Sequence, residues 1–258
     1  MELGLKGKNV LITGGSKGIG LACARAFKAE GARVAIVSRS QANLDAAKKS
    51  LGECYAIAAD LIDPAAAAAM VEKVEKDFGL LDILVNSAGA ARRTDAADLT
   101  PQAWHAAMDA KYFSYVYVID PVVKKMAARG RGAIVNVIGQ GGKVPSPIHL
   151  PGGAANAALM LATAGLANAY AAKGVRVVGV NPGNTRTDRV KEGLAADAKR
   201  QGISEDEALK RAVARIPLGR MAEPEEIADV VVFAASDRGR FMTGANITLD
   251  GSSSPTVV

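Results

Sequence analysis

Seven short apolar runs, "KNVLI", "RVAIV", "CYAIA", "DILV", "GAIVNVI", "GVRVVGV" and "NITL", recur along the chain, separated by longer stretches of helical pattern. Such runs, with little polar alternation, belong to strands buried on both faces, and those occur in parallel sheets. Parallel neighbours cannot be joined by a hairpin, so crossover helices must lie on both faces of the sheet. The expected fold class is α/β, and 258 residues suit one such body, a single domain over 1–258.

Boundary signals agree with this alternation. Asp63-Pro64 and Thr100-Pro101 each place a capping side chain ahead of a proline at the first helical position. Gly31 and Gly79 suit helix ends. The helix from Pro101 is predicted to continue through "WHAAMDAKYFSYVYV", and another to run from Pro224 through "EEIADVVVFAAS". Residues 188–222, rich in Lys, Glu and Ala, interrupt the pattern, and an insertion that caps a substrate pocket is expected there.

Composition narrows the function classes. The formal charge of +6 has two readings, an anionic partner or a solvated surface. Lys and Arg are spread without an aromatic-interleaved basic block, so no nucleic-acid partner is expected. The opening "MELGLKGKNV" lacks a secretory pattern and no stretch reads as a membrane span, so no membrane partner and a cytoplasmic location are expected. Cys23 and Cys54 fall on a predicted helix and a predicted strand, without metal-ligand spacing, and are read as packing residues; no metal site is expected.

The first run leads into "TGGSKGIG", with Gly14, Gly18 and Gly20 at the bend and the start of the next helix, and Ser16, Lys17 and Ile19 between them. Glycines let the backbone turn sharply and approach a pyrophosphate, which the free N–H groups of the helix end attract. The second run ends in "VSRS", where an acidic residue would bind the adenosine ribose hydroxyls. Ser38 and Arg39 stand there instead, and with Lys17 they suit a 2′-phosphate, favouring NADP(H) over NAD(H).

"TGGSKGIG", "AADLID", "NSAG", "NPGNTRT" and "PLGRMAEPEEIADVVVFAASDRGRFMTGANITLDG" follow in order, and with them the chain resembles the short-chain dehydrogenase/reductases of the classical type over nearly its whole length. The resemblance implies a single Rossmann-type doubly wound domain with a seven-stranded parallel sheet, a homotetramer, and a nicotinamide cofactor at the C-terminal edge of the sheet. It places Asp60 and Leu61 beside the adenine, and Asn86, Ala88 and Gly89 under the cofactor. Pro182, Gly183, Thr185 and Thr187 fall in the stretch implied to border the nicotinamide and phosphates.

The family's Asn, Ser, Tyr and Lys are not matched. By position Lys111 stands for the Asn, Gly139 for the Ser, Gly152 for the Tyr and Asn156 for the Lys. "YAAK", Tyr170 with Lys173, has the wrong spacing and lies about 27 Å along a helix from Gly152. Lys111 and Asn156 read either as an exchange of the two roles, amide on the ribose and ammonium from the opposite helix, or as two lost functions with Lys111 in solvent. His149, between Pro147 and Pro151, is the candidate proton donor, imidazole titrating near 6.5 when unperturbed. Ser146 is a second source of a hydroxyl if its loop folds inward. Tyr112 and Tyr115 are read as packing, His105 as structural and Asp109 as a surface charge. Gly139, Gly152 and Gly153 are expected to leave open space.

The expected function is an NADP(H)-dependent oxidoreductase acting on a carbonyl or alcohol substrate through a non-standard site. A non-catalytic NADP-binding partner or sensor, and lyase or isomerase chemistry on the same fold, remain as alternatives.

Overall fold

The computed structural model describes residues 2–89 and 92–255. The seven runs form β1 (Asn9–Thr13), β2 (Arg33–Ser38), β3 (Tyr55–Ala58), β4 (Ile83–Asn86), β5 (Gly132–Val137), β6 (Val175–Pro182) and β7 (Asn246–Leu249). They pair in parallel throughout, in the order β3-β2-β1-β4-β5-β6-β7. The winding reverses between β1 and β4, the place where such sheets open a crevice at their carboxyl ends.

Nine helices cover the faces among the described residues: α1 (Gly18–Ala29), α2 (Gln41–Leu51), α3 (Pro64–Asp77), α4 (Pro101–Ala107), α5 (Ser114–Ala128), α6 (Leu150–Tyr170), α7 (Asp188–Gln201), α8 (Glu205–Ala214) and α9 (Pro224–Ala235). Alternation along the strands divides the core. Val10, Ile12, Ile36 and Val85 face α1, α2 and α9, whereas Leu11, Val37 and Leu84 face α3, α5 and α6. The caps are made as the sequence predicts: Asp63 Oδ1 accepts from Ala65 N at 2.8 Å, and Thr100 Oγ1 from Ala103 N at 3.2 Å.

Three expectations change. The helix predicted to run unbroken from Pro101 is interrupted by a π-helical turn, Met108–Phe113. Cys54 lies just ahead of β3 rather than in it, while Cys23 is buried on α1. The stretch Leu150–Lys173 is, by length and composition alone, apolar enough to cross a membrane. One side of it packs into the fold, where Ala155, Leu159, Thr163 and Ala167 are buried along α6, while Leu161 is exposed.

One cation ties a strand to the end of a helix. Arg176, on β6, donates from Nη1 to Ala234 O (2.7 Å) and Met242 O (3.1 Å), and from Nη2 to Ala235 O (2.9 Å) and Ser236 O (3.2 Å). The carbonyls of Ala234, Ala235 and Ser236 close α9, where they lack intrahelical partners and carry the negative end of the dipole, and Met242 lies in the connection that follows. Arg176→Met is expected to destabilise the fold by roughly 2–3 kcal/mol, seen in thermal unfolding as a fall in Tm of about 5–10 °C. An unchanged Tm refutes this role.

Candidate active site

The crevice is built on a buried polar chain. Thr13 Oγ1 donates to Asn86 Oδ1 (3.3 Å), Asn86 Nδ2 to Asn136 Oδ1 (3.0 Å), and Asn136 Nδ2 to Thr163 Oγ1 (3.0 Å). Thr13 Oγ1 also accepts from Ser87 N (3.2 Å) and Ala88 N (3.3 Å), which sets the course of the Asn86–Gly89 turn. The glycine turn lies against it. A Cβ on Gly14 would stand 2.8 Å from Ala88 Cα, and Gly20 packs onto the Gly14 carbonyl, so neither position has room for a side chain. Helix α1 has no side-chain cap, which leaves its first N–H groups for an anion.

The other predicted cofactor residues gather on the same edge. Ser16 is buried beside the turn and Ile19 lies one residue inside α1. A Cβ on Gly18 would meet Thr187 Cγ2 at 3.4 Å, so the β6–α7 connection faces the glycine turn across the crevice. There Thr187 caps α7 through Val190 N (3.3 Å), and Thr185 Oγ1 donates to Gly183 O (3.2 Å) just past Pro182. At the other end, Ser38 ends β2 and Arg39 follows it, exposed as Lys17 is. Neither cation makes an ion pair with a protein group among the described residues. Beyond β3, Asp60 is exposed and Leu61 buried.

The π-helical turn aims Lys111 at the end of β5. Its Nζ donates to Tyr115 Oη (3.0 Å) and Val137 O (3.0 Å), and Tyr115 Oη donates to the same carbonyl at 2.6 Å. Sequence reasoning read Tyr115 as packing only; the four-residue spacing from Lys111 was the available signal. Ser114 Oγ donates to Ala110 O (3.0 Å), a carbonyl of the widened turn, and Gly89 packs against that carbonyl at φ +85. Although Lys111 as a residue is only part-buried, its ammonium sits among protein atoms. That burial, reinforced by Arg189, lowers its pKa from 10.5 to about 7. Tyr115 is fully buried, which pushes its pKa up and keeps it neutral.

Across from Lys111 the expected open space is partly filled. Gly139 has φ +129, and a Cβ on it would lie 3.2 Å from Asn156 Nδ2. A Cβ on Gly142 would meet Ala157 N at 2.7 Å, and one on Gly153 would meet Gly141 O at 2.8 Å, because the loop after β5 seats its backbone directly on α6. Gly152 is buried in the first turn of α6. Asn156, 6% exposed, keeps a buried Oδ1 without a protein partner. His149 stands at the start of α6 with a buried, unpartnered Nδ1. Burial first, then Arg93, Arg189 and Lys111, lowers its pKa, so imidazole is neutral at pH 7. Ser146 uses its carbonyl to accept from His149 N (2.9 Å). Tyr170 ends α6, away from all of these; His105 is exposed rather than structural, and Asp109 is exposed as expected.

The family model described as "Enoyl-(Acyl carrier protein) reductase" matches residues 14–253. A 3alpha-hydroxysteroid dehydrogenase of Mediterraneibacter gnavus is 32% identical, over 98% of this chain and 99% of its own. The chain belongs to the short-chain dehydrogenase/reductase family. Among solved members, L-sorbose reductase from Gluconobacter frateurii, complexed with NADPH and L-sorbose, superposes with a TM-score of 0.93 at 31% identity, covering all of both chains. An NADPH-bound short-chain oxidoreductase from Pseudomonas aeruginosa PAO1, described as containing an atypical catalytic center, gives 0.87 at 30% identity, over 97% of this chain and 98% of that one.

For this reductase-family fold the lowered pKa of Lys111 has a sign. Between pH about 7 and 10.5 the unfolded chain holds a proton on Lys111 that the folded chain has released, so stability rises with pH across that window. Below it the fold carries the full cost of a desolvated ammonium. Lys111→Met should therefore raise Tm at pH 6 by about 2–4 °C relative to wild type, an advantage that disappears by pH 10. An equal difference at both pH values, by differential scanning fluorimetry, would contradict this.

Proposed function

We propose that the protein is an NADP(H)-dependent oxidoreductase that interconverts a carbonyl compound and its alcohol, with Lys111, His149 and Asn156 as its catalytic-site residues. The observation that carries this reading is the Lys111 ammonium, held by Tyr115 and Val137 at the same sheet edge as the glycine turn. The NADPH-bound relatives support the cofactor, as do the close glycine turn and the exposed pair Lys17 and Arg39 on the 2′-phosphate side.

The bound cofactor supplies hydride to, or takes it from, the carbon of the substrate. The chain's own groups manage the oxygen. Two N–H bonds of Lys111 are directed to Tyr115 Oη and Val137 O, and the third serves the substrate oxygen in the proposed site. When that proton leaves, the neutral amine has two N–H bonds for the same two acceptors and a lone pair facing the substrate. The cage thus fits both protonation states, and a pKa of about 7 suits transfer in either direction. Neutral His149 contributes a hydrogen bond rather than a charge, and the unpartnered Oδ1 of Asn156 accepts from a ribose hydroxyl. Helices α7 and α8, spanning much of 188–222, cap the substrate side. Exposed Trp104 on α4 and Leu161 on α6 support association of subunits, which in this reading form a homotetramer. A non-catalytic NADP-binding protein is the second reading, favoured by the missing hydroxyls at Gly139 and Gly152.

Two outcomes test the main reading. In NADPH oxidation with a panel of ketones and aldehydes, kcat/KM for reduction should fall as pH rises through about 7. Lys111→Met should lower it about 10²–10⁴-fold and flatten the profile, and His149→Ala should cost roughly tenfold. NADPH binding without turnover of any member favours the second reading. Separately, Arg39→Ala should raise the KM for NADPH about 10- to 100-fold while leaving NADH nearly unchanged; equal effects on both would remove the phosphate contact.

A further inference from the structure

We infer, on the basis of the proposed oxidoreductase reading, that Ser114 is a positioning residue for the reaction: its hydroxyl holds the helix open at the π-helical turn and so keeps Lys111 aimed at the substrate oxygen. Ser114 is the first residue of α5, 3% exposed. Its amide does not take the acceptor an α-helix would give it. Ser114 N bonds Asp109 O, five residues back, and the carbonyl it skips, Ala110 O, accepts from Ser114 Oγ at 3.0 Å. Lys111 O is a longer second acceptor of the same hydroxyl, at 3.4 Å. The side chain thus occupies the acceptor that its own backbone has given up. In an ordinary helix such a back-bond competes with the amide and bends the axis; here it supplies a donor to a carbonyl that five-residue bonding passes over.

The same carbonyl is fixed from outside the helix. Gly89 packs on Ala110 O at φ +85, with no room for a Cβ. The turn that carries Gly89 is tied to β1, since Ser87 N and Ala88 N donate to Thr13 Oγ1 at 3.2 and 3.3 Å. Ala110 O is therefore held between a hydroxyl and the cofactor turn, and Lys111, next in the chain, starts from a defined point. From there its Nζ reaches Tyr115 Oη and Val137 O, both at 3.0 Å. Were Ser114 N to return to Ala110 O, the turn would close by one residue and Lys111 would rotate relative to β5. Tyr115, inside α5, would keep its bond to Val137 O. Removing the hydroxyl favours that closure, because it is the way the helix itself can return a donor to Ala110 O.

One readout uses turnover and a second does not. In NADPH oxidation with ketones and aldehydes, Ser114→Ala should lower kcat about 10- to 100-fold with the KM for NADPH unchanged. It should also flatten the fall of kcat/KM through pH about 7. Ser114→Thr, whose hydroxyl can make the same back-bond, should keep most of the activity. For the second readout, Lys111→Met is compared in the wild-type and Ser114→Ala backgrounds by thermal unfolding at about pH 6 and about pH 10. The gain in Tm at the lower pH, expected in the wild-type background, should vanish in Ser114→Ala, where Lys111 has left its buried cage. Tyr115 from α5, His149 from the β5–α6 connection and Arg189 from α7 face the cage in every variant, so their own titration cancels in the comparison. Should Ser114→Ala not fold, Ser114→Cys, similar in size with a weaker donor, takes its place. Wild-type kcat and pH profile in Ser114→Ala, a loss confined to the KM for NADPH, or Ser114→Thr as impaired as Ser114→Ala overturns the inference. So does a thermal gain that is the same in both backgrounds, or absent from both. The expected thermal result without turnover of any carbonyl upholds the role of Ser114 and sinks the oxidoreductase reading; turnover that depends on Lys111 but not on Ser114 does the reverse.

Discussion

The hydrogen-bonded chain from Thr13 through Asn86 and Asn136 to Thr163 is the constraint on which the crevice depends. Thr13 pairs in register with Asn86, and Asn86 with Asn136, so the three side chains stand in one row across β1, β4 and β5. All are essentially inaccessible to water, where an unpaired amide costs several kilocalories. A slip of one residue would turn each to the opposite face and strand its partners. The three strands therefore end level, and the turns that follow them, at Gly14, Ser87 and Gly139, open side by side.

Much of this was legible in the residues. Strand positions follow from apolar runs bounded by turn formers, because a strand buried on both faces has no other composition available. Asp63 and Thr100 announce their helices through cap chemistry that is local in sequence. The glycine turn is readable because both the sharp bend and the close approach to Ala88 exclude a Cβ. Local rules do not reach the π-helical turn. One extra residue in a helical turn leaves the apolar spacing on either side nearly intact, so the pattern through Pro101 to Ala128 reads as continuous although the face changes at Met108. The partnership of Lys111 with Val137 is likewise a contact between segments 26 residues apart.

The space around Gly139, Gly152 and Gly153 illustrates a different limit. Deleting side chains reads, in sequence, as opening a cavity, but it also lets backbone move in. Here the loop after β5 settles onto the first turns of α6, with Gly142 and Gly153 each excluding a Cβ. Gly139 is at φ +129, a conformation that a serine would adopt only under strain. A side chain placed at Gly139 would therefore enter under backbone strain and against Asn156.

Two backbone departures meet over one carbonyl, which links them physically. Val137 ends β5 immediately before the loop that turns through Gly139, and its oxygen accepts from both Lys111 and Tyr115. A carbonyl has two lone pairs, and both are committed to side chains of the facing helix, Lys111 from the π-helical turn and Tyr115 from α5. The paired ammonium and phenol thus both come from the helix facing the loop. The loop, for its part, contributes shape and the neutral imidazole of His149, and the first turns of α6 add the amide of Asn156.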